Sequence, residues 1–205
     1  FIFASNDYNV ILHGRNEEDL KSVEKKILAK NKNVCYVVGD LRDNETLDRL
    51  YESAQEKEIS VLVNNAGVLV FPLQLETMTD ENIDELLNVN LSAPIKLTKR
   101  IYNLFLENGT YGTIININSI LGMNVKELKS VYCASKWGLR GFSEAFKIEA
   151  KKNNIRVIDV YPTRIRTREE YSEGIGSSEA ANQILDFYEN TSLDELVLGK
   201  KSSEL

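Results

Sequence analysis

Tyr132 and Lys136 stand four residues apart in the run Tyr132-Cys133-Ala134-Ser135-Lys136, a spacing that puts a phenol and an ammonium on one helix face. A cation beside a phenol favours the phenolate, so the pair predicts a tyrosine pKa below its reference of about 10. Such a tyrosine passes a proton to or from a substrate oxygen near neutral pH. The pair alone carries little information, because many solvated helix faces hold one. It gains meaning from Ser119, 13 residues upstream at the end of an apolar run, and from Asn90 on a preceding helical stretch. Pro94 follows Asn90 by four residues and has no N–H to give its carbonyl, which leaves that oxygen for a relay water.

These groups need a scaffold, and short β-branched runs alternate with amphipathic stretches to supply it. Strands are expected at Val10-Ile11-Leu12, Val34 to Val38, Val61-Leu62-Val63, 113–117, 156–161 and 195–198. Helices are expected from an Asn16 cap to about Lys30, over 45–57, 79–108, 130–153 and 178–188. Thr79 caps the long one and Gly109 ends it. The strands read as continuously apolar, so burial on both faces and a parallel sheet follow. The expected fold is a Rossmann-type doubly wound α/β sheet flanked by helices, one domain over 1–205. Small and polar residues gather at each strand end: His13-Gly14-Arg15, Gly39-Asp40-Leu41, Asn64-Asn65-Ala66-Gly67, Asn118-Ser119 and Pro162-Thr163. Ligands of such sheets bind there.

The bulk numbers narrow the classes. With 205 residues, 42% hydrophobic and 27% charged, the chain suits one sizeable core. A formal charge of −6 offers no field for nucleic acid or an anionic membrane, so neither is expected as a partner. Two separated cysteines and one histidine argue against a disulfide framework or a metal site, and point to a reducing cytoplasm.

The order Asn64-Asn65-Ala66-Gly67, Asn88-Val89-Asn90-Leu91, Asn118-Ser119, Tyr132-x-x-x-Lys136 and Tyr161-Pro162 resembles the short-chain dehydrogenase/reductase family over essentially the whole chain. The resemblance implies an NADP-dependent oxidoreductase of small carbonyls or alcohols. Tyr132 would be the general acid/base and Ser119 would polarise the carbonyl. Lys136 would hold the nicotinamide ribose, and Asn90 would complete a proton relay. Gly14 stands where NAD enzymes carry an acid, and Arg15 follows, which suits the 2′-phosphate of NADP. Asp40 would meet adenine and Leu41 its ring, while Asn64, Ala66 and Gly67 line the adenosine side. Pro162 stands in the family's proline-glycine position but is followed by Thr163. There the backbone of Thr163 and Ile165, with the Thr167 hydroxyl, would hold the carboxamide.

Residues 163–178 are expected to form a mobile loop over the substrate. The family's first strand and its TGxxxGxG turn have no counterpart, so a longer native protein is expected. The absent strand would lie between the runs at Val10 and Val61. Exposing those two edges would cost on the order of 1–3 kcal/mol for each unpaired buried group. The same resemblance implies a homodimer or homotetramer built through the helices at 80–108 and 130–153. A non-catalytic NADPH sensor or scaffold is the alternative, but such members lose the serine, tyrosine or lysine, and all three are present. A flavodoxin-like module gives no reason for the three to occur together.

Overall fold

Among the described residues every strand pairing is parallel, in one four-stranded and two two-stranded sheets. The computed structural model describes residues 1–30, 33–71, 74–166 and 173–199, in two compact units, Phe1–Ile59 and Ser60–Leu205.

In the first unit, α1 (Ile2–Ser5) precedes β1 (Val10–Gly14), α2 (Glu17–Leu28), β2 (Val34–Val38) and α3 (Asn44–Glu56). The expected cap is present: Asn16 Oδ1 accepts from the backbone N–H groups of Glu18 and Asp19, at 2.9 and 3.3 Å. Glu17, Glu18 and Asp19 in the first turn, with Lys25 and Lys26 in the last, complement the helix dipole. Leu20 and Ile27 of α2 and Leu47, Leu50 and Ala54 of α3 form the buried faces. Burial on both faces fails for β1, which is intermediate throughout. Among the described residues its pairing is with β2.

The second unit orders its sheet β3 (Val61–Asn64), β4 (Thr113–Ile117), β5 (Arg156–Pro162) and β8 (Glu195–Leu198). Here the expectation holds for the central strand β4, buried at every position, while the edge strand β3 is only partly covered. The long helical region expected over 79–108 is present and is interrupted next to Pro94, where its ring disrupts the helix. It comprises α4 (Asp80–Leu87), a π-helical turn (Asn88–Ser92) and α5 (Ala93–Asn108). Pro94 is the cause: it brings no N–H, and the Ala93 N–H reaches back to Asn88 O to carry the chain across. Thr79 closes a capping box with Asn82, and Gly109 ends α5 in the left-handed region at φ 61°. Leu97, Ile101, Leu104 and Phe105 bury one face of α5. The remaining elements are α6 (Ser130–Lys151), the short pair β6 (Ile165–Arg166) and β7 (Ile175–Gly176), and α7 (Ser177–Asn190). Among the described residues no helix is long and apolar enough to cross a membrane.

A polar row crosses this sheet. Register aligns Asn64, Asn116, Asp159 and Glu195 on neighbouring strands. Asn64 Nδ2 donates to Thr98 Oγ1 at 3.0 Å and to Asn116 Oδ1 at 2.9 Å. Asn116 Nδ2 donates to Ser143 Oγ at 3.0 Å and to Asp159 Oδ1 at 3.4 Å. Asp159 is fully buried and pairs with Lys147 Nζ at 2.9 Å. Burial pushes its carboxyl up, and Lys147 pulls it only part of the way back. Glu144, Asp159 and Glu195 bring their oxygens within 4.8 Å, but the Lys147 ammonium is already the cation beside them. Asp159→Ala is therefore expected to leave buried donors unmet and lower stability by about 2 kcal/mol. A fall in the urea midpoint at constant slope checks it.

Candidate active site

The buried stripe of α6 is not wholly apolar: between Cys133 and Phe146 it carries Ser135, Lys136 and Ser143. That departure from helix patterning marks the site. Ser119 leaves the end of β4 in extended geometry and caps the turn Ile120–Gly122, its Oγ accepting from Leu121 N at 3.2 Å. Tyr132, in the first turn of α6, comes back to it. Burial pushes the Tyr132 phenol up, and a hydrogen bond with the Ser119 hydroxyl pulls it down.

Lys136 is 4% exposed, and burial holds its ammonium down at about 8. Its Nζ donates to Ile117 O at 3.2 Å and stands 6.0 Å from the centre of the Tyr132 ring. The expected lowering of Tyr132 by Lys136 is thus not what this geometry does. The ammonium is turned to a strand-end carbonyl, and the serine is the group that lowers the tyrosine.

Asn90 lies in the π-turn, 1% exposed. Its amide grips both sides of one residue, accepting from Val68 N at 2.7 Å and donating to Val68 O at 2.9 Å. It also donates to Ser135 Oγ at 3.3 Å. The side chain therefore fixes the loop after β3. In that loop a Cβ on Gly67 would lie 3.5 Å from Asn90 Oδ1 and 3.8 Å from Lys136 Nζ. Glycine keeps the space before the lysine open, the sort of cradle a ribose and nicotinamide need.

Three residues were not singled out by sequence. Ser135 donates to Tyr132 O at 2.7 Å, and Asn118 Nδ2 donates to Lys136 O at 3.2 Å. Both sit inside or beside the quoted motifs, which was the available signal. The third, Arg42, belongs to the first unit. Its Nε and Nη2 donate to Asp40 Oδ1 and Oδ2 at 3.0 and 2.7 Å, and its backbone N–H donates to Oδ1 at 2.9 Å. Those hydrogen bonds hold the Asp40 carboxyl below its usual range. The carboxylate expected to stand ready for adenine is thus already gripped by an arginine two residues on. Leu41 is half-buried beside it and Arg15 is exposed. His13 lies in β1, with Nε2 3.0 Å from Gly39 O, and burial pulls it down.

Other expected cofactor residues are placed differently. The Asn64 amide serves the polar row and not a ligand surface. Pro162 ends β5 opposite Leu198, and Thr163 N–H donates to Leu198 O at 3.0 Å. The ladder between β5 and β8 thus runs one residue further and takes the donor assigned to the carboxamide. Ile165 pairs with Ile175 in β6 and β7, so the described part of the expected loop is partly strand. Thr167 lies outside the described residues.

A family model described as short chain dehydrogenase matches residues 2–174. The 3-oxoacyl-(acyl-carrier-protein) reductase of Rickettsia conorii is 34% identical over 159 residues, covering 78% of this chain and 63% of its own length. Sepiapterin reductase of Chlorobaculum tepidum is 32% identical over 160 residues, covering 77% and 65%. The chain thus spans less than two thirds of the length of these curated relatives. Among solved structures, a metagenomic short-chain oxidoreductase in complex with NADP superposes with a TM-score of 0.83 at 28% identity. That match covers 96% of this chain and 87% of the other.

Proposed function

This chain belongs to the short-chain dehydrogenase/reductase family, whose members are oxidoreductases on a Rossmann-type α/β fold, and from that premise we propose an NADP-dependent reductase of small carbonyl compounds. The observation that carries the proposal is the placing of Tyr132 beside the Ser119 hydroxyl and 6.0 Å from the Lys136 ammonium, with Gly67 leaving the space before that ammonium open.

The chemistry that NADPH would bring when bound is a hydride for the carbonyl carbon. The residues of this chain do the rest. Ser119 and Tyr132 hold the carbonyl oxygen by hydrogen bonds from both hydroxyls, which polarises the carbon. As the oxygen gains charge, Tyr132 gives it the phenolic proton and the alcohol forms. Burial raises the phenol, so Tyr132 enters the reaction as the proton donor that reduction requires. The reverse reaction needs the phenolate and rises with pH. Lys136 would hold the ribose, and the Asn90 carbonyl would hold the water that returns a proton to Tyr132.

In the second unit, Ala66, Gly67, Pro162 and the remaining groups of Thr163 and Ile165 would hold the cofactor. In the first, Leu41 and Asp40 would meet adenine, and the exposed Arg15 would take the 2′-phosphate. Arg15→Ala is expected to weaken NADPH roughly tenfold to a hundredfold, the ~1.5–3 kcal/mol of a charged hydrogen bond. NADH binding should not change, and parallel fluorescence titrations read the ratio. We further propose a cytoplasmic homodimer or homotetramer. It would use the outer face of α6, where Trp137 and Ile148 are 45% and 68% exposed and a Cβ on Gly141 would meet nothing within 4 Å.

The test is oxidation of reduced nicotinamide, followed by its near-ultraviolet absorbance, against ketones, aldehydes and 3-oxoacyl thioesters. Turnover that prefers NADPH supports the reading and names the substrate. Tight NADPH binding without turnover of any compound replaces it with a sensing module.

A further inference from the structure

We propose that Ser135 is a positioning residue that holds the turn of Tyr132 in register with Asn90 and the loop after β3. The first turn of α6 has to be stiff, because it carries the proton donor, yet it starts poorly fastened. Its cap residue Lys129 makes no side-chain capping bond, and no acidic residue lies in the turn. An uncapped first turn is where a helix ordinarily frays.

Ser135 fastens the turn from within the helix by a different bond, to a carbonyl and not to the open N–H groups. Its side chain is completely buried, and its hydroxyl donates to Tyr132 O at 2.7 Å. Serine and threonine hydroxyls make such backward bonds in many helices, and alone the bond would mean little. The difference lies on its other side. Ser135 Oγ accepts from Asn90 Nδ2, and that amide is itself clamped on both the N–H and the carbonyl of Val68. One hydroxyl therefore joins the Tyr132 turn, the π-turn and the Gly67-Val68 loop. Asn118 ties the carbonyl one turn further along the helix, at Lys136, to the end of β4, so the two anchors bracket the catalytic face. Asn90 thereby acts through its side chain on the placement of Tyr132, in addition to any water held by its carbonyl.

The kinetic part of this inference rests on the proposed reductase reading, whereas the mechanical part rests on geometry alone, so the test has two arms. In the first, hydrogen exchange of the peptide containing Tyr132 is compared in the whole protein and in Ser135→Ala and Ser135→Thr. The second is steady-state carbonyl reduction by the same proteins, with urea midpoints as the control for folding. Ser135→Ala is expected to speed exchange in the first turn of α6 and to lower kcat about tenfold, about 1.4 kcal/mol of transition-state stabilisation. The KM for NADPH should barely move, and Ser135→Thr, which keeps the hydroxyl, should recover most of kcat. Unchanged exchange and unchanged kcat in Ser135→Ala would overturn the proposal. So would equal losses in the alanine and threonine variants with both urea midpoints at the wild-type value, because the hydroxyl would then not be the cause. Faster exchange in the alanine variant of a protein that reduces nothing would uphold the tie and overturn the reductase reading instead.

Discussion

Tyr132→Phe should cost roughly a thousandfold in kcat for carbonyl reduction, within the 10²–10⁴ range of general acid catalysis, while NADPH still binds. The substitution removes one oxygen and keeps the ring, so the half-buried site stays filled. What disappears is the phenolic proton beside the Ser119 hydroxyl. The pH profile supplies a second reading of the same residue. Burial raises the phenol and the Ser119 hydroxyl lowers it, so Ser119→Ala takes away the lowering partner. The alkaline limb of reduction should then move to higher pH, because Tyr132 holds its proton longer. In the oxidative direction the same variant should need higher pH to start. Equal rates in wild type and Tyr132→Phe would remove Tyr132 from the chemistry altogether.

Lys136→Met is expected to do two opposite things: abolish most turnover and make the folded chain more stable. An ammonium that is 4% exposed, with one carbonyl for company, is a poor occupant of a core. The unfolded chain keeps that proton up to 10.5, and burial makes the folded chain release it at about 8. Between those values the unfolded state binds more protons, so stability rises with pH across that window. Below it the whole penalty acts, on the order of 3 kcal/mol. Methionine carries no charge and nearly the same volume, so the variant should gain about that much at neutral pH. The advantage should shrink as pH climbs through the window, which urea melts at neutral pH and at about pH 9.5 would reveal. A variant no more stable than wild type at neutral pH would show that the ammonium is not held against its solvation. A gain in stability together with a loss of turnover would mark Lys136 as a group kept for function at the expense of stability.

Much of this was readable before any coordinates because the signals are local. Asn16, Thr79 and Gly109 mark helix ends through bonds to residues within a turn, and each does so. The four-residue spacing of Tyr132 and Lys136 places them on one face whatever the helix packs against. Pro94 breaks its helix through its own missing N–H. Alternation of short apolar runs with amphipathic ones likewise entails parallel pairing.

What the tertiary structure alone decided is where the buried side chains turn once they share a face. Asn64 looked like a cofactor residue from its motif, but parallel register sets it beside Asn116 and Asp159, and its amide is consumed by the sheet. Thr163 loses its N–H to Leu198, some 35 residues away, because β8 extends the ladder past Pro162. Lys136 faces Ile117 O and leaves the lowering of Tyr132 to Ser119, since packing brings a strand-end carbonyl to the buried ammonium. The chain by itself therefore determined the elements, their order and the chemical groups of the site. Their hydrogen-bond partners were set by register and burial, because a polar group removed from water takes the acceptor that packing brings to it, however far along the chain that acceptor lies.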